Sequence, residues 1–153
     1  MTWSESSKKR HMNIPASYLV LTNEDGKVLL LRRYNTGFKD GQYSLVAGHV
    51  DEGENFTQAL IREAKEEAGI TVTPEQVNIC HVMHRKSDTD GSERVDVFCI
   101  VKNWQGEVEN KEPHKCDELS WHDLDSLPDN IIPYIKHALE AIKEQQPYSE
   151  FGW

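Results

Sequence analysis

The chain has 153 residues, of which 37% are hydrophobic, and this suffices for one domain with an independent hydrophobic core. Its formal net charge of −9 opposes general binding to nucleic acid or to an anionic membrane surface, because neither would attract it over distance. The amino terminus has no apolar signal region and no stretch reaches the length of a membrane span, so we predict a cytoplasmic protein.

Composition changes only near the two ends of the chain. Residues 1–13 are polar and are predicted to form a flexible arm. Residues 14–147 are predicted to form a single domain, and residues 148–153 a carboxy-terminal tail. No internal repeat or low-complexity tract suggests a second domain.

Apolar periodicity and turn residues predict a mixture of strands and helices. In chain order, the predicted elements are strands at Ala16–Thr22 and Lys27–Arg33, a short strand at Tyr43–Leu45, a helix at Asn55–Ala68, strands at Val77–Arg85, Arg94–Val101 and Leu119–His122, and a helix at Ile131–Lys143. The turn Asn23–Gly26 predicts that the first two strands pair as a hairpin, and Ser87–Gly91 is predicted to be a flexible hairpin tip.

The three cysteines do not form a recognisable metal or disulfide pattern. Cys80, Cys99 and Cys116 are far apart in the sequence, odd in number and without a CxxC pair. We therefore predict reduced, buried thiols rather than a zinc site.

The first predicted helix carries an unusual density of carboxylates. At 100° per residue, Glu63, Glu66 and Glu67 fall within one arc, next to an apolar arc that can be buried. Like charges three and four residues apart cost an isolated helix about 0.2–0.5 kcal/mol per pair, so local stability does not explain the cluster. A divalent cation would explain it, and carboxylate oxygens suit Mg²⁺ or Mn²⁺. The alternative is a solvated acidic face with Arg62 in an ordinary surface ion pair.

The spacing around this helix favours the metal site over the solvated face. The chain matches every fixed position of the pattern G-x5-E-x7-R-E-U-x-E-E-x-G-U, in which U is a bulky aliphatic residue, with Ala64 as a small substitute at the first U. The seven fixed residues are Gly48, Glu54, Arg62, Glu63, Glu66, Glu67 and Gly69, and Ile70 fits the second U position. Seven specified residues arise by chance at roughly 10⁻⁹ per start position at ordinary composition.

This pattern resembles the signature of the Nudix hydrolase family. The resemblance implies an α/β/α sandwich around a mixed β-sheet, in which the signature forms a loop–helix–loop that holds Mg²⁺ or Mn²⁺. It also implies hydrolysis of a nucleoside diphosphate linked to another moiety, with water rather than a protein side chain as the nucleophile.

The resemblance assigns roles to the matched residues. Glu63 and Glu67 would be the principal metal ligands, and Glu66 a further ligand or the group that activates water. The Gly48 carbonyl would reach a metal, Arg62 would orient the glutamates, and Glu54 would support the metal site. Either Glu63 or Glu66 would accept the proton of the attacking water.

A second resemblance lies downstream, in the segment from Trp104 to Cys116. It is similar to the MutT-like branch of the family, in which the glutamate of an N-x-E-P-type segment approaches the metals, so that Glu112 would be a fourth carboxylate. The alternative is a turn beginning at Pro113 that leaves Glu112 in solvent.

Substrate contacts are predicted at four positions. By similarity to related enzymes, Arg33 would bind phosphate and Asn130 would offer its amide to a purine edge. Tyr43 and His49 are candidates for lining the nucleoside pocket. The alternatives are a surface ion pair for Arg33, strand packing for Tyr43 and a surface histidine at position 49.

The first functional hypothesis is a Mg²⁺-dependent pyrophosphohydrolase that converts a nucleoside triphosphate, oxidised purine deoxynucleotides included, to a monophosphate and pyrophosphate. The second is hydrolysis of another nucleoside diphosphate compound, such as a nucleotide sugar or a dinucleoside polyphosphate. A regulator that binds a nucleotide without cleaving it would be expected to lack some of the carboxylates. The expected partner is a small nucleotide, with no nucleic acid or membrane, and a homodimer is left open.

Overall fold

The structure is a computed structural model that describes residues 9–153, so the part of the predicted arm that falls on residues 1–8 lies outside it. Its elements are β1 (Ile14–Leu21), β2 (Val28–Arg33), β3 (Tyr43–Ser44), β4 (Val46–His49), α1 (Phe56–Ala68), a 3₁₀ turn (Pro74–Gln76), β5 (Asn78–Lys86), β6 (Glu93–Val101), β7 (Cys116–His122), α2 (Pro133–Lys143) and β8 (Tyr148–Phe151). Every strand and helix predicted from the sequence is present, with bounds that move by a few residues.

Two sheets build the scaffold within the described residues. The larger has the strand order β4-β1-β6-β5-β8, and the smaller has the order β3-β2-β7. The larger sheet is mixed, because β1 pairs with β6 and β5 with β8 in parallel while the other pairs are antiparallel.

The two helices cover opposite faces of the larger sheet. Leu60, Ala64 and Ala68 of α1 are fully buried in one apolar cluster, together with side chains of β1 and β6. Ile135 and Leu139 of α2 are buried in a second cluster with other side chains of the same strands. The predicted α/β/α arrangement around a mixed sheet is therefore confirmed.

The predicted hairpin between the first two strands is wrong, although its turn is correct. The Asn23 carbonyl accepts a hydrogen bond from the Gly26 N–H at 3.0 Å, but only the bridge between Thr22 and Val28 continues the pairing. Both edges of β1 are occupied by β4 and β6, so β2 pairs instead with β3 and β7. Turn residues define a reversal of the chain but not which strands become neighbours.

The predicted carboxy-terminal tail is also corrected. Residues Tyr148–Phe151 form β8, which pairs in parallel with β5 at the edge of the larger sheet. The buried His81 ring anchors this strand, because its Nδ1 lies 2.7 Å from the Gln146 carbonyl and its Nε2 lies 2.7 Å from the Ser149 hydroxyl.

The cysteines and the helices test two further predictions. Cys99 and Cys116 are buried and Cys80 is half-buried, and all three thiols are free. Neither helix found in residues 9–153 has the length and apolar character that crossing a membrane would require.

Candidate active site

Helix α1 is fixed at both ends by its own sequence. Asn55 and Gln58 form a reciprocal capping box, with N–H to side-chain oxygen distances of 2.9 and 2.8 Å. Gly69 ends the helix at φ 69°, a left-handed conformation that glycine adopts without strain, and its N–H bonds to the Lys65 carbonyl at 3.1 Å. Because the apolar face is buried against β1 and β4, the neighbouring face directs Glu63, Glu66 and Glu67 into a cleft.

Gly48 provides space for Glu63. Gly48 lies in β4 opposite Ser17 of β1, and a Cβ atom placed on it would lie 2.0 Å from Glu63 Oε1 and 2.2 Å from its carboxyl carbon. Glu63 can therefore pack its carboxylate over β4 only because residue 48 is glycine. This contact couples two residues of the sequence signature through packing.

Arg62 donates hydrogen bonds to carboxylates of the helix and of the loop that precedes it. Its Nε and Nη2 atoms donate to the two oxygens of Glu54 at 2.7 and 2.9 Å, a bidentate pair. Its Nη1 donates to Glu63 Oε1 at 2.6 Å and to Glu66 Oε2 at 3.4 Å, and Nη2 also reaches the His49 carbonyl at 3.1 Å. Glu54 thus acts on the site through Arg62, and the hydrogen bonds from Arg62 lower the pKa of Glu54 to about 2.

Glu67 is the most perturbed carboxyl group of the site. Burial, followed by the charge of Glu63, raises the pKa of Glu67 to about 8, and the Glu112 charge adds to the effect. The Ala47 N–H opposes this rise with a hydrogen bond of 3.3 Å to Oε2. Burial also raises the pKa of Glu63, although its contact with Arg62 opposes the shift.

The loop from residue 102 to residue 115 brings Glu112 to the same cleft. It docks on the end of α1, where the Lys111 N–H bonds to the Glu67 carbonyl at 3.2 Å. Asn110 then closes a turn, because its amide donates to the Cys116 carbonyl at 2.6 Å and accepts from the Glu112 N–H at 3.1 Å. The half-buried Glu112 lines the cleft with the α1 glutamates, which favours the fourth-carboxylate prediction over a solvated turn.

The carboxylate oxygens that line the cleft suit a hard divalent cation, but the side chains do not form a complete coordination site. Across residues 9–153, no three His, Cys, Asp or Glu side chains converge closely enough to form one, and Arg62 holds Glu63 instead. Two observations nevertheless support the fit: residue 48 leaves room for a carboxylate, and Glu67 is buried beside like charges that a cation would neutralise.

The cleft has a volume of about 740 Å³, within the usual range for small-ligand sites. Arg33 and His49 line it, but Arg33 is engaged by its own loop, with Nε donating to the Phe38 carbonyl at 2.6 Å and Nη2 to the Thr36 hydroxyl at 3.0 Å. His49 lies at the exposed rim, where its Nε2 is 3.2 Å from Arg94 Nη1.

The structure does not bring the other two predicted substrate residues into this cleft. The Tyr43 hydroxyl donates to Glu118, and the Asn130 amide donates to the Gly41 carbonyl at 2.9 Å. Neither residue belongs to the cleft lining, since both are engaged where β3 meets the segment before α2.

Several residues that shape the site were not predicted from the sequence. Asp40 organises the 34–41 loop by accepting from the N–H groups of Thr36 and Gly37, at 3.0 and 2.9 Å. Arg94, Tyr18 and Tyr134 line the cleft from β6, β1 and α2. Asp40 and the glycines beside it indicate a loop in the sequence. Arg94, Tyr18 and Tyr134 lie on two strands and a helix, and only the folded structure shows that these elements meet at the cleft.

The chain matches a family model and several curated relatives. The NUDIX domain family model matches residues 12–143. The chain is 33% identical over 114 residues to an oxidized purine nucleoside triphosphate hydrolase of Danio rerio, covering 72% of this chain and 67% of that protein. It is 30% identical over 108 residues to an ADP-ribose pyrophosphatase of Methanocaldococcus jannaschii, covering 71% and 61%.

A structural neighbour and a longer relative complete the comparison. The crystal structure of a MutT NUDIX hydrolase from Burkholderia pseudomallei superimposes with a TM-score of 0.76 at 26% identity, covering 85% of this chain and 98% of that one. An NAD-capped RNA hydrolase of Vibrio atlanticus is 26% identical over 125 residues, covering 82% of this chain and 43% of that protein. The chain thus spans about half the length of several curated relatives that it matches.

Proposed function

This chain belongs to the Nudix hydrolase family, and we propose that it hydrolyses a phosphoanhydride bond of a small nucleotide with the help of Mg²⁺ or Mn²⁺. The first candidate substrate is a nucleoside triphosphate, oxidised purine deoxynucleotides included, which would give a monophosphate and pyrophosphate. One observation carries the proposal: carboxylates from α1 and from the 102–115 loop line one cleft that is large enough for a nucleotide.

The residues assigned to the cation are Glu63, Glu67 and Glu112, with the Gly48 carbonyl beside them. When bound, the cation supplies positive charge to phosphate oxygens and polarises a water nucleophile. Arg62 keeps Glu63 oriented through the 2.6 Å hydrogen bond, so less reorganisation is needed when substrate arrives.

We assign proton acceptance from the attacking water to Glu66. Its side chain is 50% exposed and lines the cleft, and its contact with Arg62 is longer, at 3.4 Å, than that of Glu63. Glu63 is held more tightly and is buried, which suits a ligand better than a mobile proton acceptor. The exposed Lys115 lines the cleft three residues after Glu112 and can offset phosphate charge.

A second candidate substrate is a nucleoside diphosphate joined to a second moiety, as in ADP-ribose. The 30% identical relative with that activity in its name favours it, and the cleft has room for more than a base and phosphates. A nucleotide-binding regulator without hydrolysis has less support, because Glu63, Glu66 and Glu67 are all retained and all line the cleft.

The proposal is tested by a hydrolysis screen with Mg²⁺ and with Mn²⁺. The panel contains nucleoside triphosphates, oxidised dGTP, ADP-ribose, nucleotide sugars and dinucleoside polyphosphates, and products are identified by chromatography. We expect cation-dependent release of a nucleoside monophosphate from at least one compound, abolished by a chelator. A well-folded protein that turns over no compound of the panel would refute the proposed activity.

A further inference from the structure

Two loops that belong to different sheets border the cleft and are joined by an ion pair. The 34–41 loop lies between β2 and β3, and the 87–92 loop lies between β5 and β6. Lys39 Nζ of the first loop lies 2.9 Å from Asp88 Oδ2 of the second. Within residues 9–153, no other hydrogen bond or ion pair joins the two loops. Both loops contribute to the cleft lining, through Asn35, Thr36, Phe38, Thr89 and Asp90.

Each loop is ordered by hydrogen bonds of its own. In the first loop, Asp40 accepts from the N–H groups of Thr36 and Gly37 at 3.0 and 2.9 Å. The second loop is closed at its base, where the Ser87 N–H donates to the Ser92 carbonyl at 2.8 Å. Because these bonds lie inside each loop, the two loops can separate without losing them. We therefore expect each loop to move as a unit.

The Lys39 side chain lies against the wall of the cleft. It is 21% exposed, and its Nζ lies 5.9 Å from the centre of the Phe38 ring, within the range of a cation–π contact. Asp88 is 72% exposed, and its hydrogen bond with Lys39 lowers its pKa, so both partners are charged at neutral pH. Ion pairs with an exposed partner are weak and shift an equilibrium by up to about fivefold. Such a contact suits a closure that opens readily.

We infer that the Lys39–Asp88 ion pair is a strap that holds the two loops together and keeps the cleft closed around its ligand. Both are positioning residues, because neither lines the cleft while their neighbours Phe38 and Thr89 do. Breaking the strap lets the loops part, so a bound ligand leaves faster, whereas the α1 carboxylates keep their places. The effect therefore falls on KM, with little change in kcat. The inference rests on the proposed function in so far as the ligand is turned over.

Charge reversal tests the strap. Lys39→Asp and Asp88→Lys each place like charges opposite one another, and the double variant restores an opposite pair. Aspartate also tolerates the left-handed backbone of position 39, at φ 50°. Each single variant should raise KM for the best substrate of the screen about three- to fivefold with kcat within about twofold, and the double variant should return KM to within about twofold of the parent. Lys136→Glu, which disrupts the exposed ion pair with Glu140 on α2, is the matched control and should leave KM unchanged.

The variant Asp88→Lys separates the strap from long-range electrostatic attraction. A nucleotide is anionic, so a positive charge added beside the cleft would by itself lower KM. The strap predicts a higher KM for this variant, because Lys39 and the new lysine repel each other and the loops part. A lower KM in Asp88→Lys would overturn the inference, and so would a double variant that keeps the KM of the single variants.

NMR relaxation of backbone amides gives a readout that does not need turnover. Without nucleotide, both loops should become more mobile in each single variant and return to the parent mobility in the double variant. Unchanged mobility in both single variants would overturn the inference. If the substrate screen finds no hydrolysis, the proposed activity fails and the relaxation data still decide whether the strap exists. Normal hydrolysis with unchanged mobility would refute the strap alone.

Discussion

Replacing Gly48 by alanine should disable the site while leaving the fold nearly intact. Gly48 has no left-handed backbone conformation, so alanine is compatible with β4, but its methyl group would lie 2.0 Å from Glu63 Oε1 and 2.7 Å from its Cγ. Glu63 must therefore move, which breaks its 2.6 Å contact with Arg62. Losing a charge-assisted hydrogen bond costs about 1.5–3 kcal/mol, and replacing glycine in a strand recovers about 0.5–1 kcal/mol.

The expected fall in the free energy of unfolding is therefore about 0.5–2.5 kcal/mol, measured by urea denaturation. Activity should fall further, by about 10²–10³-fold in kcat/KM, as when one electrostatic contact to a transition state is lost. A double-mutant cycle with Glu63→Ala is the decisive control, because two changes that act on the same carboxylate should not be additive. A Gly48→Ala variant with the parent rate, or costs that multiply fully in the double variant, would refute the packing argument.

Three further predictions concern Asn110, Glu54 and the buried thiol of Cys99. Asn110→Ala removes a hydrogen bond of about 1–1.5 kcal/mol that holds the backbone at Glu112. We therefore expect kcat/KM to fall about tenfold and the Mg²⁺ dependence of the rate to shift to higher concentration. An unchanged Mg²⁺ dependence would contradict this. Glu54 has a folded pKa of about 2 against an ordinary 4.5, so its stabilising contact with Arg62 is present above pH 4.5 and is lost as pH falls toward 2. Thermal unfolding of Glu54→Gln should accordingly depend less on pH in that window, and parallel pH profiles would exclude the contact. Burial raises the pKa of Cys99 to about 12. This thiol should therefore react with a thiol reagent at about pH 8 only after the protein unfolds. Rapid labelling of Cys99 in the native protein would contradict its buried position.

The sequence alone predicted the helix that carries the site, because its signals are local. Asn55 and Gln58 at one end and Gly69 at the other specify where α1 begins and ends, and the 3.6-residue period places its glutamates on one face. The resemblance to a family signature added roles for Arg62 and Gly48, and the structure supplies a packing reason for both.

Pairing between distant strands could not be derived in the same way. The turn at Asn23–Gly26 is correct, yet β1 lies between β4 and β6, which are distant from it in the sequence. Its last six residues are all buried, and this apolar run does not indicate which strands lie beside it. The segment Val46–His49 gives little β-propensity beyond Val46, and it becomes a strand through its pairing with β1. Tyr148–Phe151 becomes β8 for a similar reason, since its partner β5 is more than sixty residues away in the sequence.

The substrate pocket was the least predictable part for a physical reason. Tyr43 and Asn130 have suitable chemistry, but their polar groups are occupied by Glu118 and by the Gly41 carbonyl. Tyr18 and Tyr134 look like core residues in the sequence, because each lies in an apolar run. Their hydroxyls meet only after β1 and α2 pack against each other across 116 residues of sequence.

The central claim is that the α1 carboxylates hold a divalent cation that enables hydrolysis, and Glu67 tests it most directly. The measurement is the steady-state hydrolysis rate of the best substrate against Mg²⁺ concentration, for the parent chain, for Glu67→Gln and for Glu140→Gln on the exposed face of α2. We predict that Glu67→Gln loses about 2.7–4 kcal/mol of transition-state stabilisation even at saturating Mg²⁺, while Glu140→Gln matches the parent chain. A Glu67→Gln variant that reaches the parent rate at saturating Mg²⁺ would contradict the account.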